Sequence, residues 1–228
     1  MPDAVMLFTA GLGTRMGDLT RERPKPLIEV AGRALVDHAL DQVAAVAPNR
    51  IVANLHYRPD QMRRHLEAVP GLRFSDETET ILETGGGLKA AVPLFGSGPV
   101  FTLNTDAIWT GPSPLVTLRD HWAAKMEGLL LLIPRAAATA HTGPGDFDID
   151  GTGRIGRGRA LVYTGAAILR TEDLERIEEK VFSLNRLWDR MISRGGLYGC
   201  VHHGGWCDVG RPEAIPLAEA LLAEASHG

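Results

Sequence analysis

Short apolar runs alternate with stretches whose apolar residues recur every three or four positions, and this alternation predicts the layout of the chain. Residues 4–10 form an apolar run that reads as a buried strand. Residues 35–47 place Leu35, Val36, Ala39, Leu40 and Val43 on one helical stripe. Residues 50–56 read as a second strand, 59–69 as a short amphipathic helix and 72–75 as a third strand. A glycine run then leads into a helix over 86–94. The run 100–105 is a strand ending at Asp106, followed by a helix over 114–124 and a strongly apolar strand over 128–134. Strands separated by helices in this rhythm predict βαβ units and a largely parallel sheet.

After Pro134 the rhythm changes. Residues 136–146 are rich in Ala, Gly, Pro and Thr and predict a mobile loop. Residues 147–149 and 154–155 flank Asp150-Gly151-Thr152-Gly153, a hairpin signal. A strand over 161–169 and helices over 171–177 and 186–194 follow. Residues 199–202 lead into Trp206-Cys207-Asp208-Val209-Gly210. The last helix, 212–225, carries a proline in its first turn. No repeat, low-complexity tract or linker interrupts the pattern. It predicts one α/β domain over residues 1–228: a Rossmann-like, doubly wound mixed sheet, mostly parallel and flanked by helices, with a small β lobe in the second half.

Composition narrows the partners. With 44% apolar residues the chain can bury a substantial core, and a net charge of −4 implies no basic face for a nucleic-acid polymer. Cys200 and Cys207 make neither a metal cluster nor a disulfide framework. The N-terminus lacks a leader's basic and apolar regions, and no apolar run is long enough for a membrane span. A cytoplasmic location is expected.

The candidate chemistry starts at the first strand's end. Gly11-Leu12-Gly13-Thr14-Arg15, then Pro24-Lys25-Pro26-Leu27, places close-approach glycines and two cations together. This is not a P-loop, since no Gly-Lys-Ser/Thr closes it, and Met16 stands where a dinucleotide fingerprint has its third glycine. Lys25, between two prolines, has restricted backbone freedom. The set reads as a polyphosphate cradle. Asn104-Thr105-Asp106 sits at a strand's carboxyl end, where ligands bind in open α/β sheets; such an aspartate also serves as a turn-former. Asp208 lies far along the chain, and the two carboxylates, if they converge, suit Mg²⁺. Glu83-Thr84-Gly85-Gly86-Gly87 opens a helix whose exposed N–H groups suit polar ligand atoms, or it is a flexible loop with a capping threonine. Gly165 within a strand signals a bulge or a ligand's close approach.

These motifs, Gly-x-Gly-Thr-Arg-Met followed by Pro-Lys-Pro-Leu, resemble those of the sugar-1-phosphate nucleotidyltransferases, and the resemblance extends over the whole chain. It implies a nucleotidyltransferase fold, with a nucleotide-binding half of about 1–134 and a sugar-binding half of about 135–228. It also implies roles: Ala10, Gly11, Leu12, Gly13, Thr14, Arg15, Glu83, Thr84, Gly85 and Asn104 at the nucleotide; Arg15 and Lys25 in catalysis; Asp106 and Asp208 holding Mg²⁺. The Glu-Thr-Gly-Gly-Gly form looks most like the branch that joins UTP to N-acetylmuramic acid 1-phosphate, whereas many guanylyltransferases carry Gly-Thr-Ala-Gly. Gly86, Asp146, Gly165 and Asn185 match that branch's sugar-binding half, although Asp146 reads equally as an idle loop carboxylate and Asn185 as a helix N-cap. The Glu-Lys-Pro whose lysine holds the sugar phosphate in many relatives is absent, and Arg154, Arg157 and Arg159 are the nearby cations. The implied reaction joins a sugar 1-phosphate to a nucleoside triphosphate, in a protein expected to be a monomer. The alternatives are a mannose-1-phosphate or glucose-1-phosphate enzyme and a non-catalytic nucleotide-binding regulator.

Overall fold

A computed structural model of the chain describes residues 1–96 and 98–226. Strand β1 (Ala4–Phe8) runs into a 3-10 turn over Thr14–Thr20 and a second over Lys25–Leu27. A small hairpin of β2 (Glu29–Val30) and β3 (Arg33–Ala34) precedes α1 (Leu35–Ala44). Then come β4 (Arg50–Leu55), α2 (Pro59–Leu66), β5 (Leu72–Asp76), α3 (Glu83–Phe95) and β6 (Val100–Asn104). The second half holds β7 (Ala107–Trp109), α4 (Pro114–His121), β8 (Gly128–Pro134), β9 (Ala138–Thr139), β10 (Phe147–Ile149) and β11 (Ile155–Arg157). It closes with β12 (Leu161–Leu169), α5 (Asn185–Ser193), β13 (Leu197–Val201), β14 (Trp206–Asp208) and α6 (Ala214–Ser226).

The main sheet is mixed. Its path runs β11-β10-β12-β6-β1-β4-β5, with β8 and then β13 attached beyond β12. Strands β6, β1, β4 and β5 are parallel, and β12 runs antiparallel to β6 and β8. The chain builds from β1 outward to β4 and β5, then returns to lay β6 on the other side of β1. That reversal makes the carboxyl ends of β1 and β6 a topological switch point, where open α/β sheets bind ligands.

Both faces of β1 are covered, so its sequence shows a continuous apolar run without alternation. Val5 and Leu7 pack with Val36 and Val43 of α1 and with Leu115 of α4. Ala4 and Met6 pack on the opposite face with Leu88 and Phe95 of α3 and with Leu187 of α5. A third cluster joins Met16 and Ile28 to Val209, Ala214 and Ala218, clamping the glycine turn to the β14–α6 junction. Met16 is fully buried there, which stabilises the turn by roughly 1.5–3 kcal/mol.

Some elements differ from the sequence-based expectation. Residues 136–146 were expected to form a loop, but they include a 3-10 turn over Arg135–Ala137 and strand β9, which pairs with β14. Residues 171–177 hold a 3-10 helix, Glu172–Arg176. Pro212 lies in the turn before α6 instead of in its first turn. Cys200 and Cys207 are free and buried; burial pushes their thiols up to about 12 and about 11. Among the described residues no helix is long and apolar enough to cross a membrane.

Candidate active site

Gly13 takes φ +64°, and a Cβ there would come within 2.8 Å of the Lys25 Cβ. Glycine is therefore needed twice, for the left-handed turn and for the close passage of Lys25. Lys25 is only 8% exposed, and its Nζ donates to Asp106 Oδ2 at 2.7 Å. Asp106 leaves the end of β6, while Thr105 Oγ1 donates to the Phe8 carbonyl and ties β6 to β1. The Val209 N–H donates to the Asp106 carbonyl at 2.9 Å, which brings the end of β14 alongside. The Asp208 carboxyl is held above the usual carboxylate range by burial first and then by Asp106, while Lys25, Arg15 and His141 pull it down. Two mutually repelling carboxylates beside a lysine fit Mg²⁺, which takes one or two protein carboxylates and completes its shell with water and phosphate. Among the described residues no group of three or more His, Cys, Asp and Glu could hold a metal, so a metal here would have only this pair as protein carboxylates.

A cavity of about 190 Å³ opens beside this centre, lined by Phe8, Ala10, Gly11, Pro26, Ile81 and Thr84 together with Lys25 and Asp106. Its apolar walls suit a planar base. A buried polar network braces it. Asn54 Oδ1 accepts the Thr9 and Ala10 N–H groups at 2.7 and 3.3 Å, and its Nδ2 donates to Glu77 Oε1 at 2.8 Å. Glu77 Oε2 accepts the Leu82 N–H at 3.2 Å. Burial pushes the Glu77 carboxyl above its ordinary range. Sequence reasoning missed both residues. A polar Asn in the apolar end of β4 was a usable signal; Glu77 sits in a run of acids and threonines that reads as solvated surface.

The glycines of α3 act differently from the expectation. The N–H groups of Gly85 and Gly86 are not free for a ligand; both donate to the Phe182 carbonyl, at 2.9 and 3.0 Å. A Cβ at Gly86 would sit 2.2 Å from the Lys180 carbonyl oxygen, so the residue serves close packing. Thr84 and Glu83 do line the cavity, Glu83 with φ +59°.

A second compartment of about 260 Å³ adjoins the first through Thr84 and Asn104. It gathers Asp146, Tyr163, Asn185 and Trp188. Asp146 Oδ2 accepts the Tyr163 N–H at 2.9 Å. Asn185 is the first residue of α5 and not its N-cap, and its Nδ2 donates to Ser183 Oγ. Gly165, φ +90°, lies at the bulge where the register of β12 against β8 shifts, and its close neighbour is Asn104. Of the three nearby arginines, Arg157 lines this compartment, stacked 4.9 Å above Phe147 and paired with Asp189, whereas Arg154 stacks on Tyr198.

A third compartment, about 570 Å³, lies on the other side of Asp208 and is lined by Arg15, His141, Gly210, Arg211 and Glu213 among others. The expected nucleotide cradle is thus divided: Ala10 and Gly11 line the first cavity, whereas Arg15 lines the third with Asp208 and Gly210. Leu12 stands 43% exposed between them.

The family described as MobA-like NTP transferase domain matches residues 5–178. The chain is 38% identical to an N-acetylmuramate alpha-1-phosphate uridylyltransferase of Caulobacter vibrioides, covering 98% of each. It is 30% identical to the protein of that name from Neisseria meningitidis serogroup B, over 95% of this chain and 96% of the relative. A mannose-1-phosphate guanylyltransferase catalytic subunit beta of Dictyostelium discoideum is 29% identical over 91% of this chain, which spans 61% of that relative. Among solved structures, the inositol-1-phosphate CTP transferase from T. maritima superposes with a TM-score of 0.81 at 14% identity, covering all of this chain and 97% of that one. HddC from Yersinia pseudotuberculosis gives 0.77 at 19% identity, over 96% of this chain and 99% of that one.

Proposed function

We propose, from the premise that this chain belongs to the MobA-like NTP transferase family, that it joins UTP to N-acetylmuramic acid 1-phosphate, giving UDP-N-acetylmuramic acid and pyrophosphate. One observation carries the chemistry: Lys25 Nζ meets Asp106 Oδ2 at 2.7 Å on the wall of the first cavity, which adjoins the second through Thr84 and Asn104. The sugar phosphate is already an anion and needs no general base. Its oxygen attacks the α-phosphorus in line, and the bond to the β-phosphate bridging oxygen breaks with pyrophosphate departing. Lys25 sits where the α-phosphate and the incoming phosphate meet and neutralises both. Arg15 stabilises the charge that grows on the leaving group. Asp106 and Asp208 would hold Mg²⁺, which supplies further phosphate neutralisation when bound. Positioning and charge account for the catalysis.

The choice of UTP and of the muramic sugar rests on the two full-length uridylyltransferase relatives and on the Glu83–Gly87 motif. A mannose-1-phosphate guanylyltransferase is the second reading, favoured by the relatives of that name. The test is pyrophosphate release with Mg²⁺ across a grid of nucleoside triphosphates and sugar 1-phosphates. Turnover confined to UTP with N-acetylmuramic acid 1-phosphate is expected. Turnover with GTP and mannose 1-phosphate would replace the substrate pair. Silence across the grid would overturn the enzymatic reading.

A further inference from the structure

Arg157 is the one cation among the residues lining the sugar compartment. It stands on β11, and the sheet runs β11-β10-β12-β6, so its strand lies about 14 Å across the sheet from the strand that ends at Asn104. Asn104 also lines the first cavity with Lys25 and Asp106, and it marks the near end of the compartment. Arg157 therefore stands at the end remote from the reacting phosphate, where substituents on the sugar ring reach. We propose that Arg157 reads a carboxylate carried on that ring and makes the compartment selective for an acidic sugar 1-phosphate over a neutral one. The inference rests on the transferase reading above and deepens it: N-acetylmuramic acid differs from N-acetylglucosamine by a lactyl ether that bears such a carboxylate.

The guanidinium is fixed before any ligand arrives. Its Cζ lies 4.9 Å from the Phe147 ring centroid and 5.9 Å from that of Trp188, and both rings are buried. The two rings meet edge to face with centroids 5.8 Å apart, which holds the platform in place. Nε and Nη2 both donate to Asp189 Oδ1, at 2.9 and 2.7 Å, and Nη2 also donates to the Asn185 carbonyl at 3.4 Å. Among the described residues no hydrogen bond uses Nη1, so two N–H donors remain on the free edge of an oriented fork. Such a fork binds a carboxylate with little further loss of side-chain freedom. The other charged groups here are acids. Asp146 lines the compartment and accepts the Tyr163 N–H, and Asp189 pairs with the arginine. Without Arg157 an acidic sugar would meet these carboxylates with no cation between, whereas a neutral sugar would lose no charge partner. Arg154 and Arg159 are absent from the lining, and Arg154 is engaged by Tyr198 and the Gly195 carbonyl.

The test compares N-acetylmuramic acid 1-phosphate with N-acetylglucosamine 1-phosphate, by calorimetric titration into the full chain and by kcat/KM with UTP and Mg²⁺. The wild type should bind the acidic sugar at least about tenfold more tightly than the neutral one. Arg157→Ala should weaken the acidic sugar about thirtyfold and move the neutral one less than about twofold, so that the preference is lost. Arg157→Lys keeps the charge without the fork and should recover only part of it. Equal losses for the two sugars would overturn the proposal, because Arg157 would then serve the phosphate they share or the fold. An unchanged preference in Arg157→Ala would overturn it as well, and both results leave the transferase reading intact. A wild-type protein inactive across the substrate grid, or active only with neutral sugars, would instead remove the reading on which it rests.

Discussion

In the reaction proposed above the chemistry turns on Lys25, and its setting makes the consequences of removing it specific. The side chain is buried against Gly13 and ends on Asp106. Truncation removes a fixed cation from the reacting phosphates without touching the main core. Lys25→Ala should lower kcat by about 10²–10³, measured as pyrophosphate release, with an unchanged far-ultraviolet circular dichroism spectrum. Activity within a few-fold of wild type would remove Lys25 from the reaction. Glu77 offers a different test. Its folded carboxyl is pushed above the ordinary 4.5, mainly by burial. The native state thus resists its ionisation. This contribution is fully favourable below the unfolded value and is lost as pH rises through the folded one. The melting temperature of Glu77→Gln minus that of wild type should climb from about pH 4.5 upward, and a flat difference would contradict the assignment. Arg15, Lys25, Asp106 and Asp208 were legible because each sits in a local motif. Glu77 was not, because its role exists only once β4 and β5 lie side by side, and Asn54 showed only as a polar residue in an apolar strand.

Helix α3 shows how one element joins two compartments. Its first turn is docked on the segment ahead of α5 by four hydrogen bonds: Gly85 and Gly86 to the Phe182 carbonyl, Phe182 N–H to the Leu82 carbonyl, and Leu184 N–H to Thr84 Oγ1. The same segment carries Ser183, Leu184 and Asn185 into the sugar compartment. A methyl at Gly86 would collide with the Lys180 backbone, which cannot swing away as a side-chain tip could. Gly86→Ala should cost about 1–3 kcal/mol in a denaturant titration and raise the KM for the sugar 1-phosphate. A stable variant with normal KM would show that the docking is slack. The elements read correctly from sequence are those with long apolar runs or a full helical stripe, such as β1, β8 and α1. The three-residue strands β7 and β14 were invisible because each gains its pairing from a partner about a hundred residues away. Strand β9 was hidden within an Ala-rich stretch for the same reason. The start of α3 was placed at Gly86 because a glycine run carries little helix propensity, yet the Phe182 carbonyl, arriving from far along the chain, lets the helix begin at Glu83.

At the scale of the molecule, a single parallel block has its switch point between β1 and β6, and β12 turns back to set the second half's β lobe against it. The alternating strands and helices predicted that block; Gly165 signalled the bulge in β12, but its close approach to Asn104 of β6 is a long-range contact that no local pattern records. In the function proposed above the two substrates occupy separate compartments, and separation has a kinetic signature. Asn185 lines the sugar compartment and is absent from the lining of the base cavity. Its Nδ2 contact is to Ser183 on its own turn, and Arg157 reaches only its backbone carbonyl, which alanine keeps. Removing the amide should therefore subtract a substrate hydrogen bond and little else. A net bond of about 0.5–1.5 kcal/mol converts to a rise of up to about tenfold in the KM for the sugar 1-phosphate. The KM for the nucleoside triphosphate should stay within about twofold, because the base cavity keeps every wall. Initial rates of Asn185→Ala over a matrix of both substrate concentrations give the two constants together. Equal rises in both would mean that the compartments are coupled, as they would be if binding closed the sugar lobe onto the nucleotide, and the static division into separate subsites would have to be given up.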